Sequence, residues 1–551
     1  MSADDLARLA GRHLDLQQAP FTLPGSRILV FGGADGAGIR VHTAAYEKPL
    51  DACRVIDRLV VTDAAGAVAS VTEVQPHAVS FGDGIATLVF AGAEALSIDG
   101  RPGTVVEWTT PDGSTGCHLF GGPVRFDVAG DRAIAVTEWA GHDSAVAEAQ
   151  AVWRDWFAKC PVVRDDLQEM TAFCWWVLGA NIIRLPALQG GRPVVPSKIG
   201  YVGLWQWDAY FIAVGLRHGD PELAREQLDL AFRYPTAAGQ LPDVVHEEGV
   251  LASSDDLPQA DRDRLRRAGS AIADPNAPVP LTKPPLSAWA LRKVLEAAPE
   301  TPEIRAWARR QLQTIRRSQD WWFADSDLDG DGMPEYGHPY SSGLDDSPIF
   351  DGPLPTTAPD LGAYLVRQDL ELARFAEEYG DADPALHRGR AGRTLGLLMQ
   401  LWDADRSVFL ARAAGAPVAS DAVTGLMPLL TGELPPATTA ALVAAIDDPR
   451  RYATPWGLPT VAASDPDFSA TRMWRGPVWI NTNALVAEGL ELCGFPERAR
   501  ALRECTVDLV VHGGGPHEYF NPLTGEKAPA ATTAFGWSAA LFVDLAVQLS
   551  R

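Results

Sequence analysis

Basic residues are scarce in this chain: Lys and Arg total 47 against 71 Asp and Glu, for a formal net charge of −24. A surface of that sign repels nucleic acid and anionic membranes, which both need a basic face, so neither is expected as a partner. Its plainest consequence is solubility. Long apolar runs are missing too, and no window reaches the length that spans a bilayer. The first residues, MSADDLARLAGRHLDL, are acidic and amphipathic and lack the basic start and apolar stretch of a secretory signal peptide. Cysteine is sparse: Cys53, Cys117, Cys160, Cys174, Cys493 and Cys505 stand apart with no C-x-x-C pair. That spacing fits reduced thiols better than a disulfide framework or a zinc site, and a cytoplasmic location is the expectation that follows.

The 551 residues are too many for one ordinary core, so two domains are expected. In residues 1–145, after a short helical start, short apolar runs such as SRILVFGG, DRLVVTD, IATLVFAG and TVVEWTT alternate with Gly and Asp breakers. Their β-branched content and spacing predict an antiparallel β-sandwich. Residues 146–164 read as a linker helix, and 165–551 as a helical domain. Helical periodicity appears at about 165–184, 205–217, 221–234, 285–297, 302–323, 358–379, 384–402, 437–446, 480–494, 496–511 and 535–549, with one or two more in 404–432. About a dozen helices over that length predict six helical hairpins closed in a ring, an (α/α)6 barrel. The loops 236–280 and 325–357 are too long to be mere connectors.

Two loops concentrate carboxylates among aromatics. DSDLDGDGMPEYGHPYSSGLDDSPIFDG (325–352) holds Asp345 and Asp346 near Tyr340 and Phe350, and an aromatic pocket raises a carboxyl's pKa so that it can donate a proton. GGGPHEYFNPLTGE (513–526) sets Glu518 among His517, Tyr519 and Phe520. Taken singly, the first reads as a solvated acidic loop and the second as a turn with a capping glutamate. Together, from distant parts of the chain, they offer an acid and a base that face each other across one substrate. Most of the seventeen tryptophans lie in the helical part, several in pairs: Trp175 and Trp176, Trp205 and Trp207, Trp321 and Trp322, Trp474 and Trp479. Flat rings beside Asp, Asn and Arg suit the apolar faces and hydroxyl edges of sugars, although any single Trp serves the core as readily.

The ordered series LWQWDAYFIAVGL (204–216), KPPLSAWAL (283–291), DGDGMPEYGHPYSSGLDDSP (329–348), YATPWGLPTV (452–461), MWRGPVWINTNAL (473–485), HEYFNPLTGE (517–526) and FGWSAALFVDL (535–545) resembles glycoside hydrolase family 63 and its bacterial mannosylglycerate and glucosylglycerate hydrolase relatives. The resemblance spans essentially 165–551. It implies inversion at an α-linked glucose or mannose, with Asp345 of the SG-x-D motif as general acid and Glu518 of the EYFNP motif as general base. Inversion needs room for water, so the two carboxyl groups are expected roughly 6.5–9.5 Å apart. By the same resemblance Tyr201, Trp205, Trp207, Asp208, Lys283, Trp474, Arg475 and Trp479 line the sugar site.

The chain departs from the family at two positions. Asp346 follows the acid where relatives have Asn, which leaves a choice between two aspartates. Lys283 stands where relatives have a sugar-contacting Gln, which points to an altered substrate, an anionic one among the options. No cofactor is required. DSDLDGDG matches the start of an EF-hand loop at Asp327, Asp329, Asp331 and Gly332, but its twelfth position is His338 instead of Glu, so a structural turn is expected with a Ca²⁺ left open. His512 and His517 do not have the spacing of a zinc helix. The expected partner is a small carbohydrate. Two alternatives are a same-fold hydrolase of another sugar, such as an α-L-rhamnoside, and a sugar-binding protein that has lost catalysis; the latter should have lost a carboxylate, and this chain keeps both.

Overall fold

The computed structural model describes residues 1–33, 36–129, 133–267 and 277–551. The described strands between Ile28 and Glu138 form two six-stranded sheets, antiparallel throughout. Apolar residues such as Val30, Val41, Leu59, Leu88, Ile98 and Phe126 fill the space between them and are almost fully buried. This is the expected sandwich. Part of the predicted 236–280 loop, residues 268–276, lies outside the described residues.

Helix α1 (Ala3–Gly11) precedes the sandwich, held at its start by a capping box between Ser2 and Asp5. Helix α2 (His142–Phe157) follows it and locks onto α3 (Asp165–Ala180) through a reciprocal pair. The Trp156 indole donates to the Trp175 carbonyl at 2.7 Å, and the Trp175 indole donates to the Trp156 carbonyl at 2.9 Å. Trp153 and Trp176 stack beside them. Trp175 and Trp176 therefore serve the core, as do the buried Trp321 and Trp322.

The rest of the chain supplies α4 (Gln206–Leu216), α5 (Pro221–Ala231), α6 (Gln259–Arg267), α7 (Ser287–Ala297), α8 (Pro302–Asp325), α9 (Pro359–Tyr379), α10 (Pro384–Leu398), α11 (Pro436–Ile446), α12 (Ile480–Leu492), α13 (Pro496–His512) and α14 (Gly536–Leu549). A 3-10 helix, Val423–Thr431, fills the place between α10 and α11. Proline opens many of these helices at the position where its missing N–H costs nothing. Asp220 caps α5 by accepting from Leu223 N at 3.0 Å, and Thr301 caps α8.

Helices α4, α7, α9, the 3-10 helix, α12 and α14 pack in that order, and α14 returns to α4, so the inner ring is closed. Helices α5, α8, α10, α11, α13 and α3 alternate with them along the chain and form the outer layer. Burial separates the two layers: α4 is buried along its whole length and α14 nearly so, whereas α5 and α8 bury one face. This is the (α/α)6 barrel. Its inner 3-10 helix carries Pro428, whose ring and missing N–H prevent a regular α-helix there. Among the described residues, no helix is long and apolar enough to cross a membrane.

Candidate active site

Short segments that lead into the inner helices meet at one end of the barrel. Trp205, Trp207 and Asp208 come from the start of α4, Lys283 from the approach to α7, Asp345 from the loop before α9, Trp474 and Trp479 from the approach to α12, and Phe535 and Trp537 from the start of α14. With Tyr201 and Glu518 they line one solvent-open cavity of about 60 Å3. The structure thus brings together nine of the ten residues expected at the site: Arg475 is absent from the lining. Its guanidinium lies against Asp351, with Nη1 donating at 2.9 Å, and reaches toward Asp467.

Glu518 is fixed from both sides. The Tyr201 hydroxyl donates to Oε1 at 2.9 Å, and the Thr532 amide donates to Oε2 at 2.8 Å. The backbone of the same loop pairs with Val478 through Phe520, which joins the glutamate segment to the segment that carries Trp474 and Trp479. Glu518 is only 3% exposed. Burial pushes its carboxyl above the ordinary glutamate range, the Thr532 and Tyr201 hydrogen bonds oppose that shift, and the nearby Asp345 adds to it. Burial also pushes the neighbouring His517 down to about 4, so the ring is neutral at pH 7 and lends Glu518 no positive charge.

Asp345 and Asp346 face different ways. Asp345 lines the cavity. Asp346 accepts the Trp474 amide at 2.9 Å through Oδ1 and the Arg472 guanidinium at 3.1 Å through Oδ2. The second aspartate is thus engaged in holding the tryptophan segment. The turn that aims Asp345 ends at Gly343, which has φ of 70°, and Tyr340 is anchored through its carbonyl by the Lys283 ammonium.

Aromatic rings form the walls. Trp474 and Trp479 stack with centroids 3.6 Å apart and planes 7° apart, and Tyr519 extends the stack. Trp537 stands edge-on to Trp207 at 5.2 Å, and Tyr201 edge-on to Trp205 at 5.6 Å. Phe535, Trp537 and the Thr532 amide were not anticipated from the sequence. The aromatic pair at the start of α14 repeats the pattern at the starts of α4 and α12, which is a readable signal; a backbone amide leaves none.

Carboxyl groups dominate the polar lining. Burial holds Asp208 well above the ordinary aspartate range, with Lys283 pulling the other way. Lys283 forms a buried ion pair with Asp243 at 2.7 Å. Burial alone would lower its pKa, but Asp243, Asp345 and Asp208 outweigh that and keep it charged.

Elsewhere, Asp327, Asp329 and Asp331 bring one oxygen each within 4.8 Å of one another. They accept amides of their own loop, including Gly332 N to Asp327 at 3.0 Å and Met333 N to Asp331 at 2.8 Å. A larger cleft between sandwich and barrel contains Arg27 and Arg192, which are spent on Glu247 at 2.6 Å and Glu226 at 2.7 Å.

Residues 201–538 match the mannosylglycerate hydrolase MGH1-like glycoside hydrolase domain. The mannosylglycerate hydrolase of Thermus thermophilus is 29% identical over 421 residues, which cover 64% of this chain and 96% of that protein. The glucosylglycerate hydrolase of Mycolicibacterium hassiacum is 25% identical over 444 residues, covering 64% and 94%. The solved structure of a Thermus thermophilus glycoside hydrolase family 63 mannosylglycerate hydrolase in complex with glucose superposes with a TM-score of 0.57 at 27% identity, over 67% of this chain and 98% of that one. The chain therefore belongs to the mannosylglycerate hydrolase MGH1-like glycoside hydrolases of family 63.

Proposed function

We propose that this chain is an inverting, exo-acting α-glycosidase of small α-glucosides or α-mannosides, an oligosaccharide or a glycosylated compatible solute, with Asp345 as general acid and Glu518 as general base. The observation that carries this reading is the shared cavity: a buried glutamate, held at both oxygens by Tyr201 and Thr532, lies in the same aromatic pocket as Asp345. Both oxygens of Glu518 point where its hydrogen bonds fix them, so the carboxylate is pre-oriented to take a proton from water. Asp345, on another loop, donates its proton to the leaving oxygen as the glycosidic bond breaks. The stacked Trp474 and Trp479 and the edge-on Trp207 and Trp537 give the sugar apolar faces to lie on, and the Asp208 carboxyl accepts from its hydroxyls. A pocket confined to one end of the barrel and opening there to solvent suits a chain-end residue, hence the exo mode. A cytoplasmic location suits the glycosylated solutes that the named relatives hydrolyse.

Following hydrolysis of α-glucosides, α-mannosides and glycosylglycerates by proton NMR tests the whole reading. The β-anomer is expected to appear first, before mutarotation. Initial release of the α-anomer overturns inversion, and turnover confined to α-L-rhamnosides overturns the sugar assignment.

A further inference from the structure

The sandwich reaches the site. Its strands Ile39–Thr43 and Arg54–Thr62 are joined by a loop that carries Tyr46 and Glu47 to the rim of the barrel. Glu47 N donates to the Gly200 carbonyl at 3.0 Å, which sets this residue beside Tyr201, the residue that holds Glu518. Tyr46 stacks on His246 at 4.1 Å with planes 7° apart, and its other neighbour is the cavity-lining Trp205 at 5.7 Å. A second anchor fastens the loop from behind: Glu247 takes the Arg27 guanidinium at 2.6 Å and the Tyr46 amide at 3.4 Å.

Glu47 is exposed, with φ of 49°. A side chain with a Cβ is disfavoured in that left-handed region, where glycine or asparagine would be cheaper. Such a conformation persists where the surroundings fix it and commonly marks a working position. The Glu47 N bond to Gly200, next to the cavity-lining Tyr201, and the Tyr46 contact with the cavity-lining Trp205 set this loop at the edge of the cavity. The Glu47 carboxyl, its pKa raised by burial and its oxygens held by the Tyr46 hydroxyl, interacts with Asp261, Asp345 and Lys283. In a pocket whose buried end holds the sugar, the mouth beside the acid is where the leaving group sits.

The charges there are one-sided. Asp208, Asp243, Asp345 and Glu47 all bear on the Lys283 ammonium, which is already paired with Asp243. The nearby Arg472 and Arg475 are bound to Asp346 and Asp351. Among the described residues, the lining offers no unspent cation to a carboxylate. Lys283 therefore does not make this an anion site. The family match begins at residue 201, and the superposed relative is used up to 98% while only 67% of this chain is covered; the segment carrying Tyr46 and Glu47 lies outside the family match.

We propose that Tyr46 and Glu47 form the leaving-group wall of the cavity and select an uncharged, hydroxyl-bearing leaving group over a carboxylate-bearing one. The Glu47 carboxylate accepts from a polyol or sugar hydroxyl, and the Tyr46 and Trp205 rings flank its carbon chain. A glycerate carboxylate in the same place meets like charge. This inference rests on the glycosidase reading above.

The test compares kcat/KM for a glycosylglycerol and the matching glycosylglycerate, in the wild type, E47Q and E47K, with folding followed by circular dichroism. The wild type is expected to favour the glycerol compound at least about tenfold, E47Q to narrow that ratio about tenfold, and E47K to narrow it further, chiefly through KM for the glycerate. A wild type that prefers the glycerate, or a ratio unmoved in both variants, overturns the inference while leaving the glycosidase reading intact. Failure of the wild type to hydrolyse even α-glucosyl and α-mannosyl fluoride overturns that reading and this inference with it.

Discussion

Gly343 lies flat against the indole of Trp207: a Cβ at position 343 would stand 2.2 Å from the ring's Cζ2. The backbone there is also left-handed, with φ of 70°, so a side chain is penalised twice. The contact couples the turn that presents Asp345 to the ring at the floor of the cavity. G343A is expected to cost about 1–3 kcal/mol of stability and to lower kcat/KM more than that loss explains, because Asp345 must shift with the turn. Thermal unfolding and steady-state kinetics on the same preparation check this. A variant with wild-type kcat/KM would show that the turn has no part in aiming the acid.

Tyr201 bears on the proposed base, Glu518. Its hydroxyl hydrogen bond lowers the Glu518 pKa against the upward push of burial. Tyr201→Phe removes only that bond, so the pKa rises. A base must be ionised to work, so the acid limb of the kcat/KM profile moves to higher pH in Y201F, with activity partly recovered above neutrality. An acid limb that stays put would mean that Glu518 does not set it.

Much of this arrangement was readable in the sequence, and the unread parts share a cause. The α-helices were legible because their apolar positions repeat with helical spacing and their starts carry proline or caps, as at Asp220 and Thr301. The motifs around Asp345 and Glu518 singled both out, and the structure sets them in one cavity. The 3-10 helix at Val423–Thr431 escaped definition because Pro428 interrupts the helical pattern. The engagement of Arg475 by Asp351 and of Lys283 by Asp243 depends on partners about 120 and 40 residues away, which no local pattern encodes. Glu47 is further still from Asp345 in the chain, and only the packing of sandwich against barrel brings them together.

The two aspartates should separate cleanly on mutation. D345N removes the proposed proton donor and is expected to cost on the order of 10²–10⁴ in kcat on substrates with poor leaving groups. The loss should be much smaller on a glycosyl fluoride, whose leaving group needs no proton. D346N keeps an oxygen to accept the Trp474 amide and gives up only the half-exposed contact to Arg472, so its kcat is expected to stay within about fivefold of wild type. If D346N rather than D345N showed the fluoride-sensitive defect, the acid would be Asp346.

Lys283 and Asp243 are 5% and 3% exposed at their side chains, and removing one partner strands the other in a poor solvent for charge. K283M is expected to lose on the order of 3–5 kcal/mol at neutral pH, a loss that includes the anchor on the Tyr340 carbonyl. The pH dependence follows from the directions of the two shifts. Lys283 is held above the usual 10.5 for lysine, so in the wild type its contribution is present throughout the neutral range and fades only as pH rises through the folded value. Asp243 is raised by burial even with its partner in place, and without Lys283 it rises further. An acid raised in the fold carries its full penalty above the folded value and none once pH falls below the unfolded one. The stability deficit of K283M should therefore shrink as pH is lowered from 8 toward 5, and K283M/D243N should regain much of the loss at pH 7. Melting temperatures of the three proteins across that range measure both effects. A deficit independent of pH, or a double variant no better than K283M, would mean that Lys283 supports the fold by its length and packing and not by its charge.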